Sequence, residues 1–138
     1  YPRREYYAPG RRDGTLRGFH RHCVVGDPLA LPGLMDLTAS VDFSAVAEAG
    51  ADAGLEFAGY ASQSALLLAN GLPGILAAAD PADARAMARL ASQVRTLTLP
   101  GEMGERFQAI AFLRGLDAAL SPLDGIDQGH RLQDPLPP

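Results

Sequence analysis

The sequence predicts an α/β fold. Three stretches alternate or concentrate apolar residues between chain breakers, at 15–25, 55–60 and 107–114. Between them lie stretches with apolar residues three or four apart, opened by Ser or Asp and closed by Gly. Period two marks strands and period 3.6 marks helices, so the order reads strand, helix, strand, helices, strand.

Residues 1–14 read as a loop anchored by Tyr1, Tyr6 and Tyr7 among Pro2, Pro9 and Gly10. From Thr15 to Val25, Leu16, Gly18, His20 and His22 alternate with Arg17, Phe19, Arg21 and Cys23 up to the breaker Gly26-Asp27-Pro28, which predicts one strand. A loop through Pro32-Gly33 follows. Asp42 then caps a helix carrying Phe43, Val46, Ala47, Gly50 and Ala53, with Gly54 placed to stop it. Leu55 to Tyr60 reads as a short strand. Ser62 or Ser64 opens a second helix that ends at Asn70-Gly71, and Asp80-Pro81-Ala82-Asp83 caps a third running to about Val94. After a turn at 101–104, Phe107 to Arg114 is apolar on both faces, as a buried strand requires.

Composition bounds the function. Hydrophobic residues make up 47% and charged residues 20% of the 138, a globular balance for one domain. No apolar run approaches the roughly 20 residues that span a bilayer, and no signal peptide opens the chain, so a cytoplasmic protein without a membrane partner is expected. The net charge of -4 argues against nucleic acid, although six arginines fall within residues 1–22. All 12 basic residues are arginine, which fits a GC-rich bacterial genome. Cys23, the one cysteine, has no disulfide partner and is expected in buried apolar packing. His20, His22 and Asp27 lack a third fixed ligand, so no metal site is predicted.

Two tracts carry more than local structure: Asp36-Leu37-Thr38-Ala39-Ser40-Val41-Asp42-Phe43-Ser44 and, some way on, Met103-Gly104-Glu105-Arg106-Phe107. With Gly14-Thr15-Leu16-Arg17-Gly18-Phe19 ahead of them, they resemble the carboxyl-terminal half of MidA-type proteins. The resemblance covers about 1–115 and implies the last part of a class I methyltransferase that uses S-adenosylmethionine (SAM). It implies a Rossmann-like, doubly wound sheet with a helical insertion at 62–96 between the last two strands, followed by an irregular tail at 116–138. The pattern departs from the family at Ser40, Ser64 and Gln108, where His, Gly and Lys are common, and no catalytic role is carried onto these positions.

The resemblance also implies a protein arginine substrate. Such enzymes hold SAM with a Gly-rich turn and an acidic residue after their first two strands, and neither motif is found in this sequence. SAM is therefore expected to bind the complete protein and not these residues alone. Open sheets place ligands beyond the carboxyl ends of their strands. The loops there make Arg3, Arg4, Glu5, Tyr6, Tyr7, His22, Asp36, Asp42 and Gln63 candidate substrate contacts. Asp36 and Asp42 suit a guanidinium, and His22 suits a general base near neutral pH. The competing reading is a noncatalytic interaction or assembly module, with a homo-oligomer possible through an exposed strand edge.

Overall fold

The structure, a computed structural model, describes residues 1–79, 82–116 and 123–133. It has two units: Tyr1–Val46 with Leu132–Pro138, and Ala47–Arg131. Helices and strands are mixed, as expected, and every strand-to-strand ladder among the described residues is antiparallel.

The first unit opens differently from the expected loop. A single helical turn, α1 (Arg3–Tyr6), follows Pro2 and is succeeded by a 3-10 helix at Pro9–Arg11. The Pro2 carbonyl accepts from the amides of Glu5 and Tyr6, and the fixed φ of proline orders this start. One turn is too short to generate a hydrophobic period, which is why the sequence does not show it. The Arg11 guanidinium lies 3.9 Å from the Tyr1 ring centroid.

The expected single strand at 15–25 is instead a hairpin of β1 (Arg17–His20) and β2 (Cys23–Val25). His20 pairs with Cys23, leaving a two-residue loop in which Arg21 has φ 50° and His22 φ 65°. Two positive φ values define the type I′ turn that matches strand twist, a geometry normally signalled by Asn-Gly. Arg-His carries no such signal, so the alternation reads straight through it. The hairpin brings His20 and Cys23 to one face, and the free Cys23 is exposed rather than buried.

A third strand, β3 (Asp36–Thr38), pairs antiparallel with β1 where a loop was expected. Three residues give alternation too little length to register. The preceding loop is tied by the Leu29 amide donating to Asp27 Oδ1 at 2.8 Å, and by the His20 Nδ1 contact with the Leu34 carbonyl at 2.7 Å. The carbonyl can only accept, so His20 carries its proton on Nδ1 and serves as a brace. The Met35 side chain packs over Gly18, where a Cβ would come within 2.7 Å of its flexible Sδ end.

Helix α2 (Phe43–Asp52) follows as predicted and leads into the second unit. There β4 (Glu56–Ser62) pairs antiparallel with β5 (Gln108–Leu113), from Glu56 opposite Leu113 to Ser62 opposite Gln108. Tyr60, Ala61 and Ser62 are fully buried. The both-faced apolar pattern of β5 predicts full burial, but its residues are half-buried in this chain.

Between these strands run α3 (Gln63–Ala69), α4 (Leu72–Ala77) and α5 (Ala84–Thr98). Ser62 caps α3 and Asp83 caps α5 through the Ala86 amide at 2.9 Å; Asp80 and Pro81 lie outside the described residues. The unexpected α4 is one short piece opened by Pro73 in its first turn. Helix α5 runs four residues beyond the expected end at Val94, to Thr98, whose hydroxyl donates back to the Val94 carbonyl at 2.7 Å. Within the stretch expected to be tail, residues 128–133 form a 3-10 helix, and the Tyr60 amide donates to the Ile126 carbonyl at 3.0 Å.

Candidate functional site

The first unit holds two concavities that use the candidate residues. The β1–β3 register sets Phe19 directly opposite Asp36. Directly opposed residues share a face, and so do residues two apart, so Phe19, Asp36 and Thr38 line one wall. The hairpin turn adds Arg21 and His22, enclosing about 430 Å³. Asp36 and His22 are exposed, and their side chains make no hydrogen bond or ion pair among the described residues. A carboxylate with all its acceptor capacity open, an imidazole and an aromatic wall can together receive a cationic, hydrogen-bond-donating group.

The second concavity, about 360 Å³, is lined by Arg3, Tyr7, Asp42 and Ala45. Here the carboxylate is occupied. Asp42 Oδ1 accepts from the Ala45 amide at 3.1 Å, and Oδ2 lies 3.7 Å from Arg3 Nε. The Arg3 amide in turn donates to Ser44 Oγ at 3.0 Å, and Ser44 Oγ donates to the Leu132 carbonyl at 2.9 Å. The Asp42 side chain is only 13% exposed, so capping is what its geometry serves. Asp42→Ala should therefore cost about 1 to 2 kcal/mol of stability, read in a denaturant melt. Turnover per folded molecule of the complete protein should stay at the wild-type value, and a specific loss of turnover would return Asp42 to the substrate.

The remaining candidates disperse. Arg4 and Glu5 point outward on α1. Tyr6 Oη accepts from Thr15 Oγ1 at 3.4 Å, and its ring meets that of Tyr7 edge-on at 4.9 Å, so both work as aromatic anchors. Gln63 lies in the second unit, where its Nε2 donates to the Leu97 carbonyl at 2.9 Å and its amide to the Phe107 carbonyl. That double tie makes it a clamp between α5 and the approach to β5.

Sequence reasoning missed a polar network at the carboxyl end of β4. The buried Tyr60 hydroxyl donates to Gln108 Oε1, and Ser64 Oγ donates to Glu105 Oε1 at 3.2 Å. Glu105 Oε2 lies 3.9 Å from Arg131 Nη1, which also donates to Gln128 Oε1 at 3.1 Å. Glu105 of the Met-Gly-Glu-Arg-Phe tract thus joins two of the three departing positions: its carboxylate accepts from Ser64 and its backbone carbonyl accepts from Gln108 Nε2 at 3.5 Å. The signal available was the Ser62-x-Ser64 spacing at a strand end, which reads equally well as a helix cap. Among the described residues no group of three potential metal ligands forms, and no helix is long and apolar enough to cross a membrane.

A family model described as "Putative S-adenosyl-L-methionine-dependent methyltransferase" matches residues 1–61, which contain the 14–19 and 36–44 tracts. The zebrafish (Danio rerio) mitochondrial protein arginine methyltransferase NDUFAF7 is 34% identical over 113 residues, 79% of this chain and 26% of that protein. A crystal structure of an uncharacterized COG1565-superfamily protein from Burkholderia thailandensis superposes with a TM-score of 0.79 at 44% identity, covering 89% of this chain and 34% of the other. These matches support a MidA-type, SAM-dependent methyltransferase family for this chain. A second crystal structure of a COG1565-superfamily member from Burkholderia thailandensis, bound to S-adenosyl-homocysteine, superposes with a TM-score of 0.77 at 44% identity, covering 89% of this chain and 33% of the other. The MidA-type chain thus spans about a third of the solved relatives and about a quarter of the zebrafish one. Its two strand-to-helix turns, 39–42 and the direct step from Ser62 to Gln63, contain no glycine.

Proposed function

We propose that this MidA-type chain is the carboxyl-terminal part of a SAM-dependent protein arginine methyltransferase, and that the cavity of Phe19, His22, Asp36 and Thr38 receives the target guanidinium. SAM is held by residues of the complete protein outside these 138, and α3 to α5 form a helical insertion in a doubly wound sheet completed by those residues. The observation that carries the reading is the open Asp36 carboxylate facing the same cavity as the equally unpaired His22. The zebrafish relative's arginine methyltransferase name and the S-adenosyl-homocysteine in a solved relative support the chemistry.

Asp36 accepts guanidinium N–H groups and fixes the orientation of the target nitrogen, and Phe19 offers its ring to the planar cation. The cofactor, when bound in the complete protein, supplies the methyl group. The methylated nitrogen sheds a proton, which a His22 ring nitrogen accepts. Incubating the complete protein with methyl-labelled SAM and paired arginine and lysine peptides tests this. Label is expected on arginine alone, with none transferred by residues 1–138 by themselves, and label on lysine or on neither peptide would overturn the reading.

A second reading, a noncatalytic interaction module, is favoured by apolar side chains left open, such as Val24 at 64% and Phe107 at 54% exposure. Concentration-dependent self-association of a complete protein that transfers no methyl group would select it.

A further inference from the structure

We propose that Arg21 is a specificity residue which selects an acidic side chain next to the target arginine; this rests on the reading of Asp36 as the guanidinium acceptor. Arg21 opens the two-residue β1–β2 turn at φ 50°, and His22 follows at φ 65°. Non-glycine residues rarely hold positive φ, and such backbone costs free energy that the surrounding structure must supply. Asn-Gly makes the same turn with less strain, so the turn alone does not call for arginine.

Packing does not call for it either. Arg21 is exposed and makes no hydrogen bond, ion pair or ring contact among the described residues. It nonetheless lines the cavity that Asp36 lines. One cavity thus presents an unpaired cation and an unpaired anion that do not satisfy each other. A lone guanidinium entering to meet Asp36 would also meet the like charge of Arg21. A ligand carrying a carboxylate beside its guanidinium answers both, with the carboxylate accepting from the Arg21 fork in the geometry guanidinium groups favour. The ligand class is therefore a peptide segment in which Glu or Asp adjoins the arginine.

The test uses the complete protein, two peptides that differ only in Glu-Arg against Gln-Arg, and the variant Arg21→Asn, which retains His22. Peptide binding is followed by fluorescence anisotropy and methyl transfer by mass spectrometry. The wild type should bind the Glu-Arg peptide about fivefold more tightly, the size of an exposed charge pair, and methylate it correspondingly better at limiting peptide. R21N should lose the binding preference, keep its Gln-Arg affinity within about twofold, and melt at the same or a higher temperature, since Asn tolerates positive φ. Equal wild-type affinities, or a preference that survives in R21N, would overturn the proposal. If the binding preference follows Arg21 while neither peptide is methylated, the methyltransferase reading fails and the acidic subsite stands.

Discussion

Asp36→Asn in the complete protein is expected to lower arginine methylation by about tenfold to a hundredfold, with little change in melting temperature. The size follows from what the substitution removes. A hydrogen bond to a charged group contributes about 1.5 to 3 kcal/mol, and a neutral amide offers a guanidinium only one acceptor oxygen and no opposite charge. The stability expectation has its own basis. The Asp36 side chain is exposed on a three-residue strand and makes no hydrogen bond or ion pair among the described residues, so the fold loses no side-chain contact it was using. Asp42, held by the Ala45 amide and Arg3, should behave in the opposite way. The pair of variants separates a functional carboxylate from a structural one within one tract. Wild-type methylation by D36N, measured with both substrates saturating and limiting, would remove Asp36 from the mechanism.

The second large effect is on folding. Gly104→Ala should destabilise the chain by about 3 kcal/mol, the upper end of overpacking costs, with an unchanged denaturant slope. Gly104 is buried, its amide donates to the Leu99 carbonyl at 3.1 Å, and its carbonyl accepts from the Ser64 amide at 3.0 Å. A Cβ there would fall onto the Thr98 carbonyl, which is backbone and cannot swing aside. Glycine thus lets the turn after α5 fold back under α3 and deliver Glu105 to Ser64 and Arg131. A loss below about 1 kcal/mol would mean that the turn relaxes freely and that this close approach is not what fixes the glycine.

What could be read in the sequence depended on length and on local chemistry. Helices α2, α3 and α5 announce themselves through Asp42, Ser62 and Asp83, whose side chains bond the first free amides of the helices they precede. Strands β4 and β5 are long enough for their apolar runs to register. Helix α1 and strand β3 are shorter than any period, and their order comes from Pro2 and from pairing with β1, which is tertiary information. The hairpin was hidden because Arg21 and His22 adopt a turn that their residue types disfavour. That same departure exposes part of the candidate site. His22 was legible as a base only as a strand-end residue, whereas the turn swings it into a cavity with Asp36. Real chains break local rules where function requires it, and here the broken rule lies beside the unpaired charges.

The most direct measurement is a structure of the complete protein with S-adenosyl-homocysteine and an arginine peptide bound together. The guanidinium is expected within hydrogen-bond distance of the Asp36 carboxylate, between Phe19 and His22, with the cofactor product held by residues outside these 138. A guanidinium bound elsewhere, with the Asp36 cavity left to solvent, would contradict the account.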